Sequence, residues 1–305
     1  MHKYVWPVVV LIASSCAVEG ARPNESSTPG TPAPVVETTA ASEGVEPVSS
    51  TTTTTTPVST TTSPGTTTTL SAFAPPEWLG TRLLPIRPDG HGEIRDTPPE
   101  LRDRRIQMPD LFPPPASDQF EWEARPVPDD VLSRSSWTED CPVEPEDLTY
   151  LTMSFYGFDG RVHIGEMIVN SSVADDIVGV FRELHDARFP IEEMRVLTSE
   201  DLDAHPTGDG NVTSSFQCRE AVGSSSWSQH AFGLAIDINP FQNPYVKGEL
   251  VLPELASAYL DRDHVRPGMI VEGDRVTRAF DEIGWGWGGR WRTLDDWMHF
   301  SLSGR

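Results

Sequence analysis

Ser224-Ser-Ser-Trp-Ser-Gln-His-Ala-Phe-Gly-Leu-Ala-Ile-Asp-Ile-Asn-Pro240 reads as a polar turn running into a β-strand. Leu234, Ile236 and Ile238 alternate with Ala235, Asp237 and Asn239, the period of two that a half-buried strand requires. One face is expected to enter a core and the other to carry Asp237. His230 stands seven residues before Asp237, with Gly233 between them to let the backbone turn closely. An imidazole and a carboxylate so placed supply two of the three protein ligands of a catalytic zinc site. The third must come from elsewhere.

The C-terminal stretch Asp295-Asp296-Trp297-Met298-His299-Phe300-Ser301-Leu302 offers it. Met298, Phe300 and Leu302 are expected to point inward along a last strand, which puts His299 on the other face. A lone histidine among apolar neighbours is more often a satisfied core residue, but Asp296 shifts that balance. On a regular strand Asp296 and His299 would face opposite ways, so Asp296 is expected in the turn before it, within reach of water at the metal. Just upstream, Asp274 can cap a helix bearing Val276, Ala279, Phe280 and Ile283, which Gly284 stops. Gly284-Trp-Gly-Trp-Gly-Gly-Arg-Trp291 follows. Core packing is the plain reading of Trp285, Trp287 and Trp291, with room for one of them to floor a groove.

On the N-terminal side, residues 199–227 lack apolar periodicity, and a loop of that length in a compact domain is usually functional or mobile. It contains Phe216-Gln-Cys-Arg219; taken alone, Arg219 reads equally well as a surface ion-pair partner. Order begins near Leu148. Leu151–Phe155 and Arg161–Val169 read as strands around a turn at Gly157–Gly160. Ser172 is placed as the N-cap of a helix with Asp175 and Asp176 in its first turn, and with Val173, Ile177, Val180, Phe181 and Leu184 on one face. Pro190 is expected to end it, and Met194–Leu197 to form a strand. The pattern is α+β: a small antiparallel sheet with flanking helices.

Residues 76–147 are rich in Pro and charge and hold no long period. They read as an extended arm, anchored by Trp78, Leu83, Leu84, Ile86, Leu111, Phe112, Phe120 and Trp122, or as further linker. Residues 21–75 are dominated by Thr, Ser, Pro and Ala, too poor in apolar area to offset the entropy of ordering. They form a disordered stalk, either O-glycosylated or unmodified. Lys3 and the apolar run Val5–Ala13, too short to span a bilayer, have the layout of a secretory signal over residues 1–20. Ala13-Ser-Ser-Cys16 resembles a lipoprotein processing site; cleavage near Gly20 is the rival. The catalytic domain is assigned to 148–305.

Export bears on the cysteines. With Cys16 removed or lipidated, Cys141 and Cys218 remain in an oxidising compartment, and a disulfide between them is expected over two free buried thiols. The chain of 305 residues carries 46 acidic against 23 basic side chains, a net charge of -23. No basic cluster exists for nucleic acid or anionic lipid, so membrane contact is expected only through a lipid on Cys16. Glycosylation sequons occur at Asn24, Asn170 and Asn211.

Taken together, Ser228-x-His230-x-x-Gly233-x-Ala235-x-Asp237 and Asp296-x-x-His299-Phe300 resemble the LAS-type zinc peptidases, which include D-alanyl-D-alanine carboxypeptidases, dipeptidases and carboxypeptidases of the VanX and VanY type, and L-alanyl-D-glutamate endopeptidases. Trp287-Gly-Gly-x-Trp291 and Phe216-x-Cys-Arg219 resemble one branch of them. The resemblance covers about residues 148–303. It implies Zn2+ held by His230, Asp237 and His299, with a position left for water. It implies Asp296 as general base, Arg219 as the group that polarises the scissile carbonyl, and Ser228 as a substrate-binding or buttressing residue. Many relatives carry Glu where this chain has Asp296. The implied function is an exported, monomeric peptidase of the secreted or cell-envelope fraction, with peptidoglycan stem peptides as substrate. D,D-carboxypeptidase and L-alanyl-D-glutamate endopeptidase activities are left unranked. The competing reading is a stalked, non-catalytic module that binds wall peptide around a structural zinc, and such a site would be closed by four protein ligands.

Overall fold

The computed structural model describes residues 72–305. The signal segment with Cys16, the sequon at Asn24 and the Thr/Ser/Pro-rich stretch as far as residue 71 lie outside the described residues. None of the described helices is long and apolar enough to cross a membrane.

The fold is α+β, built on an antiparallel ribbon. Strand β2 (Leu148–Tyr156) pairs along its whole length with β3 (Val162–Asn170), and β1 (Trp122–Pro126) adds to the free edge of β2. Both faces of the ribbon are buried. Leu151, Met153, Phe155, Met167 and Val169 face helix α2 (Ala174–Asp186), while Leu148, Tyr150 and Ile168 pack with Val131, Val143 and Phe216. Two-sided burial explains why buried positions run consecutively along these strands instead of alternating. On the second face lies helix α1 (Asp129–Arg134), tied to the ribbon by Arg134, whose guanidinium donates to the buried Glu166 along with the Tyr150 hydroxyl.

Beyond α2 come the two-residue parallel pair β4 (Glu193–Met194) and β5 (Val212–Thr213), with helix α3 (Ser199–Asp203) between them. A second sheet has the order β6 (Ala235–Asp237), β11 (His299–Ser301), β9 (Gly286–Trp287). A third joins β10 (Asp295–Asp296), β7 (Tyr245–Lys247) and β8 (Leu250–Leu252). Helix α4 (Arg275–Glu282) packs with α2, and Phe280 stacks on Phe300 of β11 at 4.0 Å between ring centroids. Asp274 caps α4 through Thr277 N–H, and Gly284 follows it with φ of 77°.

Several local expectations change. The cap before α2 is Asn170, which accepts from Ser172 N–H; Ser171–Val173 is a 3-10 turn, and the α-helix starts only at Ala174. Arg188, with φ of 51°, has already turned the chain after Asp186, before Pro190 is reached. Of Met194–Leu197 only Met194 is in a strand. The 199–227 segment is not a bare loop: α3 carries a reciprocal capping box between Thr198 and Asp201. Both faces of β6 are buried, so Asp237 stands on an interior wall and not on a solvated face. Leu302 is 44% exposed, because β11 ends at Ser301.

In the 76–147 segment, Leu84 is buried, and Trp78 and Phe120 pack against cores. Leu83, Ile86, Leu111 and Trp122 are exposed. The segment is held mainly by groups that carry no apolar periodicity. Leu101 and Ile106 enter a core with Phe241 and Tyr259. Arg104 is buried and makes a two-pronged contact with buried Glu192 at 2.6 and 2.8 Å, donating also to the Asp209 carbonyl. Asn211 donates to the same carboxylate and accepts from Phe241 N–H, so this sequon asparagine is closed to a glycan.

Removing one member of a buried ion pair strands the other. Arg104→Met is expected to destabilise the fold by about 3–5 kcal/mol in chemical denaturation, and Arg104→Met with Glu192→Met by clearly less.

Candidate metal centre and its cleft

The site is assembled by backbone registry. In the β6–β11 pair Asp237 lies directly opposite His299, so the two side chains rise on one face. The other edge of β6 is held by Ser214, which exchanges both backbone hydrogen bonds with Asp237 at 2.9 and 3.1 Å. His230 arrives on the 3-10 turn Gln229–Phe232, capped by Ser228, whose Oγ accepts from His230 N–H at 3.3 Å. Gly233 ends that turn at φ of 67°, where a Cβ would lie 2.5 Å from Asn170 N. Only glycine combines this backbone with so close an approach to β3.

The three side chains converge. His230 Nε2 lies 3.2 Å from His299 Nδ1 and 3.2 Å from Asp237 Oδ2, and His299 Nδ1 lies 3.1 Å from Asp237 Oδ1. All three residues are buried, and they are the metal-capable cluster of three or more such side chains found among the described residues. His230 Nδ1 stands 2.6 Å from the Ser215 carbonyl, which fixes the proton on Nδ1 and turns the Nε2 lone pair to the centre. Two imidazole lone pairs and a carboxylate facing one point repel unless a cation or protons lie between them. The donor set fits a divalent transition metal such as zinc.

Burial opposes ionisation of Asp237, but the His230 and His299 rings outweigh it and hold its carboxyl far below the usual range. Asp296 is pushed the other way. Burial raises it to about 7; the Asp237 charge adds to this, while His299 and Arg219 oppose it. Its Oδ1 is buried with no hydrogen-bond partner, and so is His299 Nε2. Asp296 sits not in a turn but on β10, opposite Tyr245. Gly288 backs it: a Cβ there would meet the Asp296 carbonyl at 2.5 Å, which accounts for the first glycine of the Trp-Gly-Gly-x-Trp stretch.

These groups line a cleft of about 870 Å3, which also receives Ser228, Arg219, Trp227 and Trp291. Arg219 Nε donates to Gln217 Oε1 and Nη1 to the Glu220 carbonyl, and Arg219 enters no ion pair among the described residues. Trp285 and Trp287 are core, whereas Trp291 edges His299 at 5.4 Å between centroids. The Cys141–Cys218 disulfide is present and fastens the residue before Arg219 to the 76–147 segment, where Ser136 Oγ also receives Cys218 N–H. Sequence reading missed the Ser215 carbonyl and Gln217. A backbone acceptor leaves no side-chain signature, and Gln217 is recognisable only once Arg219 is placed.

The family model described as D-alanyl-D-alanine carboxypeptidase matches residues 222–302. That span holds Ser228, His230, Asp237, Asp296 and His299; Arg219 lies just before it. Residues 222–302 are similar to the D-alanyl-D-alanine carboxypeptidase family, among the peptidases that the motifs resemble. No curated protein and no solved structure matches the chain.

The Asp296 carboxyl gives a stability signature in metal-free protein. Its folded value of about 7 exceeds its ordinary 3.8, so between these values the folded state holds the proton that the unfolded state has lost. Stability is therefore lost as pH rises through that window. Denaturation midpoints measured from pH 4 to pH 8 should fall more for the native sequence than for Asp296→Asn; parallel curves would refute the raised value.

Proposed function

We propose that the protein is an exported, Zn2+-dependent peptidase that hydrolyses peptide bonds in the peptidoglycan stem peptide. The observation that carries this is the placement of the Asp296 carboxyl, whose Oδ1 is buried without a hydrogen-bond partner, in the same cleft as the convergent His230, Asp237 and His299. A carboxyl buried without a partner costs stability unless it serves chemistry. A structural metal site would have no use for it.

His230, Asp237 and His299 would hold the metal, which supplies Lewis-acid activation of water and of the scissile carbonyl. Asp296 takes a proton from the attacking water as its oxygen bonds to the carbonyl carbon, and hands that proton to the amine nitrogen as the C–N bond breaks. Arg219 lines the cleft, is held by Gln217 and the Glu220 carbonyl, and has Nη2 left without a protein partner among the described residues, which supports a role in donating to the carbonyl oxygen as charge develops there. Ser228 acts on the site through the backbone of His230. Export is supported by the sequence of residues 1–20 and by the disulfide. The wall-peptide substrate is supported by the family of residues 222–302.

Purified protein is expected to release fragments from muropeptides, to lose this on chelation, and to regain it with one equivalent of zinc. Asp296→Ala should keep the zinc stoichiometry and lose turnover by about 10²–10⁴-fold. Loss of zinc instead would make Asp296 a ligand. Arg219→Ala should lower kcat by about 10²–10³-fold with zinc retained; an unchanged kcat would remove Arg219 from the chemistry.

A further inference from the structure

The chain between Asp237 and strand β7 is fixed by two fully buried asparagines, Asn239 and Asn243. Asn239 adopts φ of 45°. Its Oδ1 accepts from Glu192 N–H at 3.2 Å, and its Nδ2 donates to the Pro190 carbonyl at 2.8 Å. Asn243 Nδ2 donates to the Ile238 and Gly268 carbonyls, and its Oδ1 accepts from Ile270 N–H at 2.7 Å and from Arg262 Nη2 at 3.1 Å. A left-handed residue other than glycine persists where its surroundings over-determine it, and such residues gather at functional sites. What this turn delivers is Tyr245, the first residue of β7.

Tyr245 lies directly opposite Asp296 in the β7–β10 pair, which sets the two side chains on one face with Cβ atoms about 4.5–5.5 Å apart. Both line the cleft with His230, Asp237 and His299. Tyr245 is only 7% exposed, yet its hydroxyl makes no hydrogen bond to protein among the described residues, whereas a buried tyrosine usually finds a partner. Unlike Asp296 Oδ1, the phenol oxygen is not sealed off, so it opens on the cleft. Burial, and after it the Asp296 charge, push the phenol up, so it keeps its proton and remains a donor. Phenylalanine would fill the same wall. The hydroxyl is what the wall does not need, and it is free for a ligand.

We infer that Tyr245 is a further catalytic residue, whose hydroxyl donates to the oxygen of the scissile carbonyl as negative charge gathers there, a second donor beside Arg219. The inference rests on the peptidase reading above. Two atoms of the substrate need help as the bond breaks. The leaving nitrogen needs a proton, which Asp296 delivers; the carbonyl oxygen needs donors, and Tyr245 stays a donor throughout. Arg219 comes from the segment before His230 and Tyr245 from the strand after Asp237, so the two donors reach the cleft from different elements. A hydrogen bond from a neutral donor strengthens when its acceptor becomes anionic, so most of its effect falls on the transition state.

Tyr245→Phe removes the hydroxyl alone. In zinc-loaded full-length protein acting on muropeptides, kcat is expected to fall about 10²–10³-fold with KM little changed. Because the hydroxyl has no protein partner, the denaturation midpoint and the zinc stoichiometry should stay at their native values, which a merely structural role would not give. Binding supplies a second readout. A phosphinate peptide, whose tetrahedral oxygens carry the charge that the carbonyl oxygen acquires, should bind the variant more weakly by the factor by which kcat/KM falls, while a product peptide binds both proteins alike. A raised KM with unchanged kcat, or an unchanged phosphinate affinity, overturns the inference and leaves the peptidase reading standing. No hydrolysis of any muropeptide by the native sequence overturns that reading, and the role of Tyr245 with it.

Discussion

Three electron-pair donors aimed at one point, His230 Nε2, His299 Nδ1 and the Asp237 carboxylate, are the constraint on which the rest of this structure depends. Held within hydrogen-bond distance of one another in a buried position, they are unfavourable company without positive charge between them. A protein keeps such an arrangement only if its backbone over-determines it. Here β6 is gripped on one edge by Ser214 and on the other by β11, and the same pairing that makes the sheet sets Asp237 opposite His299. The third donor comes on a capped turn whose hydrogen bonds run to Ser215, Ser228 and Gln217.

The segment from Asn211 to Gln217 is thus a brace behind the site. It is itself braced: Asn211 is fixed to Glu192, Glu192 to Arg104, and Cys218 to Cys141. The Pro-rich segment before the ribbon therefore does more than cover a core. Its charged and sulfur contacts reach the residues that position the ligands. Its energetics live in a buried ion pair, whose disruption leaves an uncompensated charge behind, and in a cross-link, whose loss frees the unfolded chain.

What the sequence disclosed follows the same physics. His230, Gly233, Asp237 and His299 could be read from local pattern, because a period of two fixes which face each side chain takes and a turn of this tightness needs glycine. The α2 face was legible for the equivalent reason at period 3.6. The failures cluster where local pattern is silent. The Ser172 cap lost to Asn170 because a 3-10 turn precedes the helix. An inward Leu302 continues an alternation that the chain abandons after Ser301. The three-residue offset between Asp296 and His299 clashes with a single strand and suggests a turn, whereas the two residues belong to different strands. Arg104, which ties the 76–147 segment to buried Glu192, has no apolar signature at all.

The proposed metal centre has two imidazoles, one carboxylate and a coordination position left open. X-ray absorption at the zinc edge of stoichiometrically loaded protein tests it most directly. The account predicts a first shell of nitrogen and oxygen only, at about 2.0–2.1 Å, with scattering from two imidazole rings and one exchangeable oxygen. A single imidazole, a sulfur ligand, or four fixed protein ligands with no exchangeable position would contradict it.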